Sequence, residues 1–143
     1  MYDLFIFFLG FSGPLGRYVT MVGGNKKQAE AVNECDTLGA TLLSIHSQTE
    51  QDFISAHDSD LNGDDYYWLG LCQDTNTEVW SWEDGTEMDY TNWTPGRRKK
   101  RNVRGGRSTA KRDCAIMSTI DYIWSVETEN QKHSYVCQYQ GNT

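Results

Sequence analysis

The residues with the clearest chemical purpose are cations. Residues 97–112 read RRKKRNVRGGRSTAKR. Arg97, Arg98, Lys99, Lys100, Arg101, Arg104, Arg107, Lys111 and Arg112 make nine basic residues in sixteen, with no acid among them. The chain holds 13 Lys+Arg, so four lie elsewhere and face all 20 Asp+Glu. The remainder therefore carries −16 and the run +9, a segregation that the net charge of −7 conceals. Like charge at this density repels itself until an anionic partner neutralises it. Six of the nine are Arg, whose planar guanidinium grips sulfate or phosphate through paired hydrogen bonds. The chemistry indicated is polyanion binding, with sulfated glycans, anionic lipid head groups and nucleic acid as candidates. No aromatic residue interleaves the run, so base stacking and sequence-specific nucleic-acid readout are not indicated. Three other readings stay open: a solvated charge run without a ligand, a furin-type processing site at Arg98-Lys99-Lys100-Arg101, and a diversified or engineered loop. The Gly105-Gly106 pair and the absence of apolar periodicity predict a mobile loop.

The rest of the chain offers weaker signals. Residues 58–64 (DSDLNGD) begin like a calcium loop, with oxygens at alternate positions and Gly sixth. The twelfth position is Leu69 rather than a bidentate Glu, so a solvated acidic turn is expected. His46, His57 and His133 suit no nucleophile–base pair: Ser47 and Ser134 are sequence neighbours on divergent faces. No enzyme activity is expected. Asn92-Trp93-Thr94 is a formal glycosylation sequon weakened by its bulky centre and by Pro95, and the Asn is read as structural. Cys35, Cys72, Cys114 and Cys137 allow three full pairings. None sits in a CxxC or a zinc-ligand spacing, so an oxidising compartment fits better than a metal site. No cofactor is implied.

These residues need a scaffold, and 143 residues suffice for one domain with a proper core. Hydrophobic content of 38% and aromatic content of 13% argue for a globular fold. At the N-terminus, residues 4–11 (LFIFFLGF) form an apolar run long enough for a signal-peptide core and too short to span a bilayer. Residues 1–16 are read as a truncated or atypical leader, with an N-terminal strand as the alternative, and residues 17–143 as the domain. The apolar positions of residues 26–38 fall on one helical face, stopped by Gly39. Ser47 and Glu50 form a capping box that opens a second helix. The period then changes, and short strands are predicted at residues 66–71, 79–82, 114–117, 122–125 and 135–139. Two helices followed by several strands spell α+β, with no βαβ alternation.

Placed in order, these landmarks resemble the C-type lectin-like domain over residues 18–139. They are Cys35 on a helix, Leu42-Leu43-Ser44-Ile45, Glu50, Trp68-Leu69-Gly70-Leu71, Trp80-Ser81-Trp82-Glu83-Asp84-Gly85, Asn92-Trp93 with Pro95-Gly96, Asp113-Cys114, Trp124, and Tyr135-Val136-Cys137. The resemblance implies two helices packed on short antiparallel sheets, paired chain ends, a Cys35–Cys137 bond, and a long ligand loop before Cys114. The family's usual fourth Cys position here holds Glu129, and Cys72 is an additional cysteine. If the strand ending at Leu71 runs antiparallel to the one starting at Cys114, a Cys72–Cys114 bond follows.

Sugar-binding members of that family hold Ca²⁺ with carboxylate and amide oxygens, as a hard cation requires. The corresponding positions here are Arg97, Lys99, Arg112, Ser125 and Val126, three of them cationic. The resemblance thus implies a calcium-independent module. The expectation is a secreted binding domain that takes a glycan or other polyanion through residues 97–112 and has no membrane span. The alternatives are carbohydrate recognition at a shifted site, and a protein-partner or homo-oligomeric role.

Overall fold

A computed structural model describes residues 5–6, 17–56, 64–95 and 112–140. In chain order the elements are β1 (Phe5–Ile6), β2 (Arg17–Lys27), α1 (Gln28–Thr37), β3 (Thr41–Leu42), α2 (Gln48–Ala56), β4 (Tyr66–Gln73), β5 (Trp80–Trp82), β6 (Asp113–Ser118), β7 (Trp124–Thr128) and β8 (Lys132–Gln140). The fold is α+β. Its strands run in the order β1-β2-β8-β4-β6-β7, with β3 added to β8 and β5 to β4. The β4–β8 pair is parallel and the other pairs are antiparallel. The two ends of the chain meet as β2 and β8, from Arg17 opposite Gln140 to Lys27 opposite Lys132.

The period-two pattern explains how one sheet buries both faces. On β4, Tyr67, Leu69 and Leu71 join Ala115, Met117, Val136, Ile54 and Trp124 in one cluster. Trp68 and Cys72, facing the other way, join Cys114, Ile116, Tyr135, Cys137, Ala31 and Cys35 under α1. That second layer carries both disulfides. Cys35–Cys137 ties α1 to β8, and Cys72–Cys114 ties β4 to β6 across an antiparallel pair. With a sequence separation of 102, the first restrains the unfolded chain by about 4–5 kcal/mol in the chain-entropy view. Gly70 sits where β3 crosses closest: a Cβ there would stand 3.0 Å from that of Leu42, while its N–H donates to Leu43 O. A side chain would push β3 away.

Local physics moved several boundaries. Lys26 and Lys27, expected at the start of α1, belong to β2 because β8 pairs with them up to Lys132. The Lys27 N–H is capped by Glu30 Oε1 at 2.9 Å. Gly39 ends α1 at φ +74°. For α2, the Glu50 N–H donates to Ser47 Oγ, and the Glu50 carboxylate accepts the His46 N–H. β7 starts at Trp124 rather than 122, since Tyr122 adopts φ +59° in the preceding turn. Of the stretch read as a leader, the described pair Phe5–Ile6 forms β1, antiparallel to Val22 and Met21.

Candidate functional site

Of the nine cations in residues 97–112, the eight from Arg97 to Lys111 lie outside the described residues, and so does the acidic stretch 58–63. The structure describes the two anchors between which the basic segment runs. The entrance is stitched to the start of β7. Trp93 bridges Trp124, the Thr94 N–H and Oγ1 both donate to Trp124 O, and the Trp124 N–H donates to Asn92 O. The Asn92 side-chain amide donates to Tyr122 O at 2.7 Å, so the sequon's nitrogen is already engaged in the fold. Aromatic rings lock this end. Trp82, Tyr90 and Trp93 each meet Trp124 edge-on at 5.7–5.8 Å between centroids, and Trp93 meets Trp80 at 4.9 Å. Trp82 and Trp124 are core plugs, whereas Trp80 and Trp93 are half-buried.

The exit is held by polar groups. Arg112 stands just before β6, and one carboxylate takes it by both backbone and side chain. Glu129 Oε2 accepts the Arg112 N–H and Oε1 accepts Nε–H, each at 3.1 Å, while the Glu129 N–H returns a bond to Arg112 O. The guanidinium also donates through Nη2 to Oε1 of the buried Gln28 at 3.2 Å, and the Gln28 N–H donates to Glu129 O. Arg112, expected among the contact cations, is therefore an engaged anchor. Asp74, in the β4–β5 turn, lies on the same side. Its carboxyl is held below the usual range first by the Thr77 and Asn76 N–H groups and then, more weakly, by Arg112.

Sequence reasoning missed a third cluster, behind the segment that leads to the entrance. His46 Nδ1 lies 2.7 Å from Asp89 Oδ1, and its Nε2 lies 2.9 Å from Thr86 Oγ1 and 3.2 Å from Ser44 Oγ. The partner of His46 is thus Ser44, two residues before it, and not Ser47. An Asp–His–Ser row of this kind could relay a proton, but Ser44 is buried and its hydroxyl donates to Asp84 Oδ2 at 2.7 Å. Asp84 also accepts from the Thr86 N–H and hydroxyl and from Gln138 Nε2. Burial opposes its ionisation, yet the Thr86 and Ser44 hydroxyls and the Thr86 N–H outweigh that, and its pKa is lowered. The cluster is a brace that ties residues 84–89 to β8. Only pairs such as Asp84-Gly85 and Ser44 were visible in the sequence. Their meeting depends on the fold.

A family model described as the Lectin C-type domain matches residues 24–139. The chain belongs to the C-type lectin domain family. Lymphocyte antigen 75 of Mus musculus is 37% identical over 110 residues, which make up 76% of this chain and 6% of that protein. Secretory phospholipase A2 receptor of Homo sapiens is 42% identical over 67 residues, 47% of this chain and 4% of that protein. The chain thus spans a small fraction of these curated relatives. Among solved structures, the Ca²⁺-independent C-type lectin SPL-2 from Saxidomus purpuratus superposes with a TM-score of 0.68 at 19% identity. That match covers 90% of this chain and 89% of the other, and it shows the fold.

Of the five positions that correspond to calcium ligands in sugar-binding C-type lectins, Arg112, Ser125 and Val126 fall among the described residues. Ser125 and Val126 lie on β7 opposite Ile116 and Ala115. Val126 offers no side-chain oxygen, and Arg112 brings positive charge already matched by Glu129. A hard divalent cation needs several oxygen ligands, and these residues do not fit it. Among the described residues no group of three or more His, Cys, Asp or Glu could hold a metal ion, and no helix is long and apolar enough to cross a membrane. Asp64 and Asp65 sit at the N-terminal end of β4, where Thr119 donates to Asp65 O. Arg112 is at the opposite end of β6. Among the described residues, Asp74 and Glu129 lie near Arg112, so that end carries acids as well.

Proposed function

We propose that this C-type-lectin-like module works outside the cell, without calcium, and binds an anionic ligand, a sulfated glycan or other polyanion, through residues 97–111. One observation carries the reading: a run of like charge occupies the stretch between two firmly tied anchors, beside a body of opposite sign. The exit clamp supports it. Arg112 is matched by Glu129, so the eight remaining cations are the contact set. Two disulfides suit an oxidising compartment. The test is retention on heparin resin of the unmutated domain and of a variant with Arg97, Arg98, Lys99, Lys100 and Arg101 all changed to Ser. Retention lost in the variant, with its melting temperature kept and with no response to a chelator, is the expected result. Elution of the unmutated domain in the low-salt wash overturns the proposal.

A second reading has one observation in its favour. Trp80 and Trp93 form a half-buried edge-to-face pair beside the entrance, a surface on which an uncharged pyranose could stack. A glycan array in which neutral sugars bind, and Trp80→Ala abolishes that binding, would select this reading.

A further inference from the structure

We infer that His46 carries a proton on both ring nitrogens in the folded domain, and that this cation is a pH-sensitive tie between the β3–α2 connection and residues 84–89. Nδ1 stands 2.7 Å from Asp89 Oδ1, and an ionised carboxylate can only accept. Nδ1 must therefore donate. Nε2 stands 2.9 Å from Thr86 Oγ1 and 3.2 Å from Ser44 Oγ. A hydroxyl has one hydrogen to give, and both of these are given elsewhere. The Ser44 hydroxyl donates to Asp84 Oδ2 at 2.7 Å, and the Thr86 hydroxyl donates to Asp84 Oδ1. Each hydroxyl lies closer to that carboxylate than to the ring. Nε2 thus meets oxygen lone pairs, and it too must donate.

The groups around the ring suit a cation. Asp89 faces it from the segment that leads to the entrance, and Asp84 stands behind the two hydroxyls in the turn after β5. From α2, the Glu50 carboxylate accepts the His46 N–H at 2.7 Å. β5 contributes the tilted ring of Trp82, 5.6 Å away between centroids. β8 contributes the Gln138 amide, which donates to Asp84 and to Ser44. Three carboxylates and an aromatic ring therefore surround one imidazole. Burial opposes the ionisation of Asp84. The Thr86 and Ser44 hydroxyls, the Thr86 N–H and, after them, the charge of His46 outweigh it.

Loss of one proton leaves the ring a single N–H and two places that need it. The Nε2 side is enclosed, with Ser44 buried, whereas the Asp89 side chain is 50% exposed and can turn to water. The neutral ring therefore keeps its proton on Nε2 and releases Asp89. That residue belongs to the segment running into Asn92–Thr94, so the tie given up is the one next to the entrance. Residues 84–89 are held tightest between the ordinary Asp range, about pH 4, and the ordinary His range, about pH 6.5.

The experiment reads the ring nitrogens of His46 by NMR in the unmutated domain and in Asp89→Asn. At about pH 7, both nitrogens of the unmutated ring should resonate as protonated. A bare nitrogen at that pH overturns the inference. Raising the pH should give a neutral ring with its proton on Nε2, and a proton left on Nδ1 instead overturns the release of Asp89. In Asp89→Asn the ring should lose its proton at lower pH than in the unmutated domain, and an unchanged midpoint overturns the part assigned to Asp89. Melting temperature gives a second readout. The deficit of His46→Gln relative to the unmutated domain should shrink as pH rises from about 6 to about 9. A deficit that stays constant assigns the ring to packing alone and overturns the tie. No ligand enters these measurements, so their failure leaves the polyanion proposal standing.

Discussion

The two ends of the basic segment are held by opposite kinds of chemistry. The entrance relies on main-chain bonds between Thr94, Asn92 and Trp124 and on a stack of aromatic edges around Trp124. The exit relies on one carboxylate that grips both the backbone and the guanidinium of Arg112. Screening by dissolved ions weakens a half-exposed ion pair and acts far less on apolar packing. A segment of concentrated charge can thus be tied to a domain without both ties sharing its sensitivity to ions. The polar tie also pairs Arg112, the one cation of the run among the described residues, with a carboxylate.

The largest loss of stability is expected at the entrance. Trp124→Ala removes the fully buried hub of that end and should cost about 3–5 kcal/mol, read as a large drop in the denaturation midpoint. A loss below about 1 kcal/mol would mean that the rings around it do not depend on it.

The exit should respond less, and with a different signature. Arg112 and Glu129 side chains are 37% and 25% exposed, so Glu129→Ala should cost only about 1 kcal/mol. Because the interaction is electrostatic, the difference between Glu129→Ala and the unmutated domain should narrow in about 1 M salt, where screening is short-ranged. A difference that stays constant with salt would assign the loss to packing.

How far these anchors could be read in advance depended on range. The core strand at Trp68-Leu69-Gly70-Leu71 was legible because consecutive large apolar residues on a strand need two buried faces, and the sheet provides both. The start of α1 was not, because helical periodicity at Lys26 and Lys27 competes with pairing to residues more than a hundred positions later. Glu129 was flagged only as a departure from the cysteine pattern. Its grip on Arg112 comes from the β6–β7 hairpin, which sets Asp113 opposite Thr128. The His46 brace was invisible for the same reason, since Ser44, His46, Asp84 and Asp89 meet only after β3, β5 and β8 are in place. Residues 97–111 were legible as charge alone.

The brace gives the smallest and most selective effect. The pKa of Asp84 is lowered in the folded state, so its contribution to stability is present above the ordinary Asp value of about 4 and is lost as pH falls through the lower, folded value. Asp84→Asn should therefore be less stable than the unmutated domain at neutral pH, and the two melting curves should converge below about pH 4. Curves that stay parallel down to about pH 2 would show that Asp84 is held by its neighbours without favouring the charged form.

Binding of a polyanion by the cations of residues 97–111, with Arg112 kept as the anchor at Glu129, is read in the arginine side-chain Nε–H resonances during titration with a heparin fragment. Arg97, Arg98, Arg101, Arg104 and Arg107 should shift together and saturate, while Arg112, already donating to Glu129 Oε1, stays in place. Shifts confined to Arg112, or no shifts in the run at ligand concentrations that saturate binding, would contradict it.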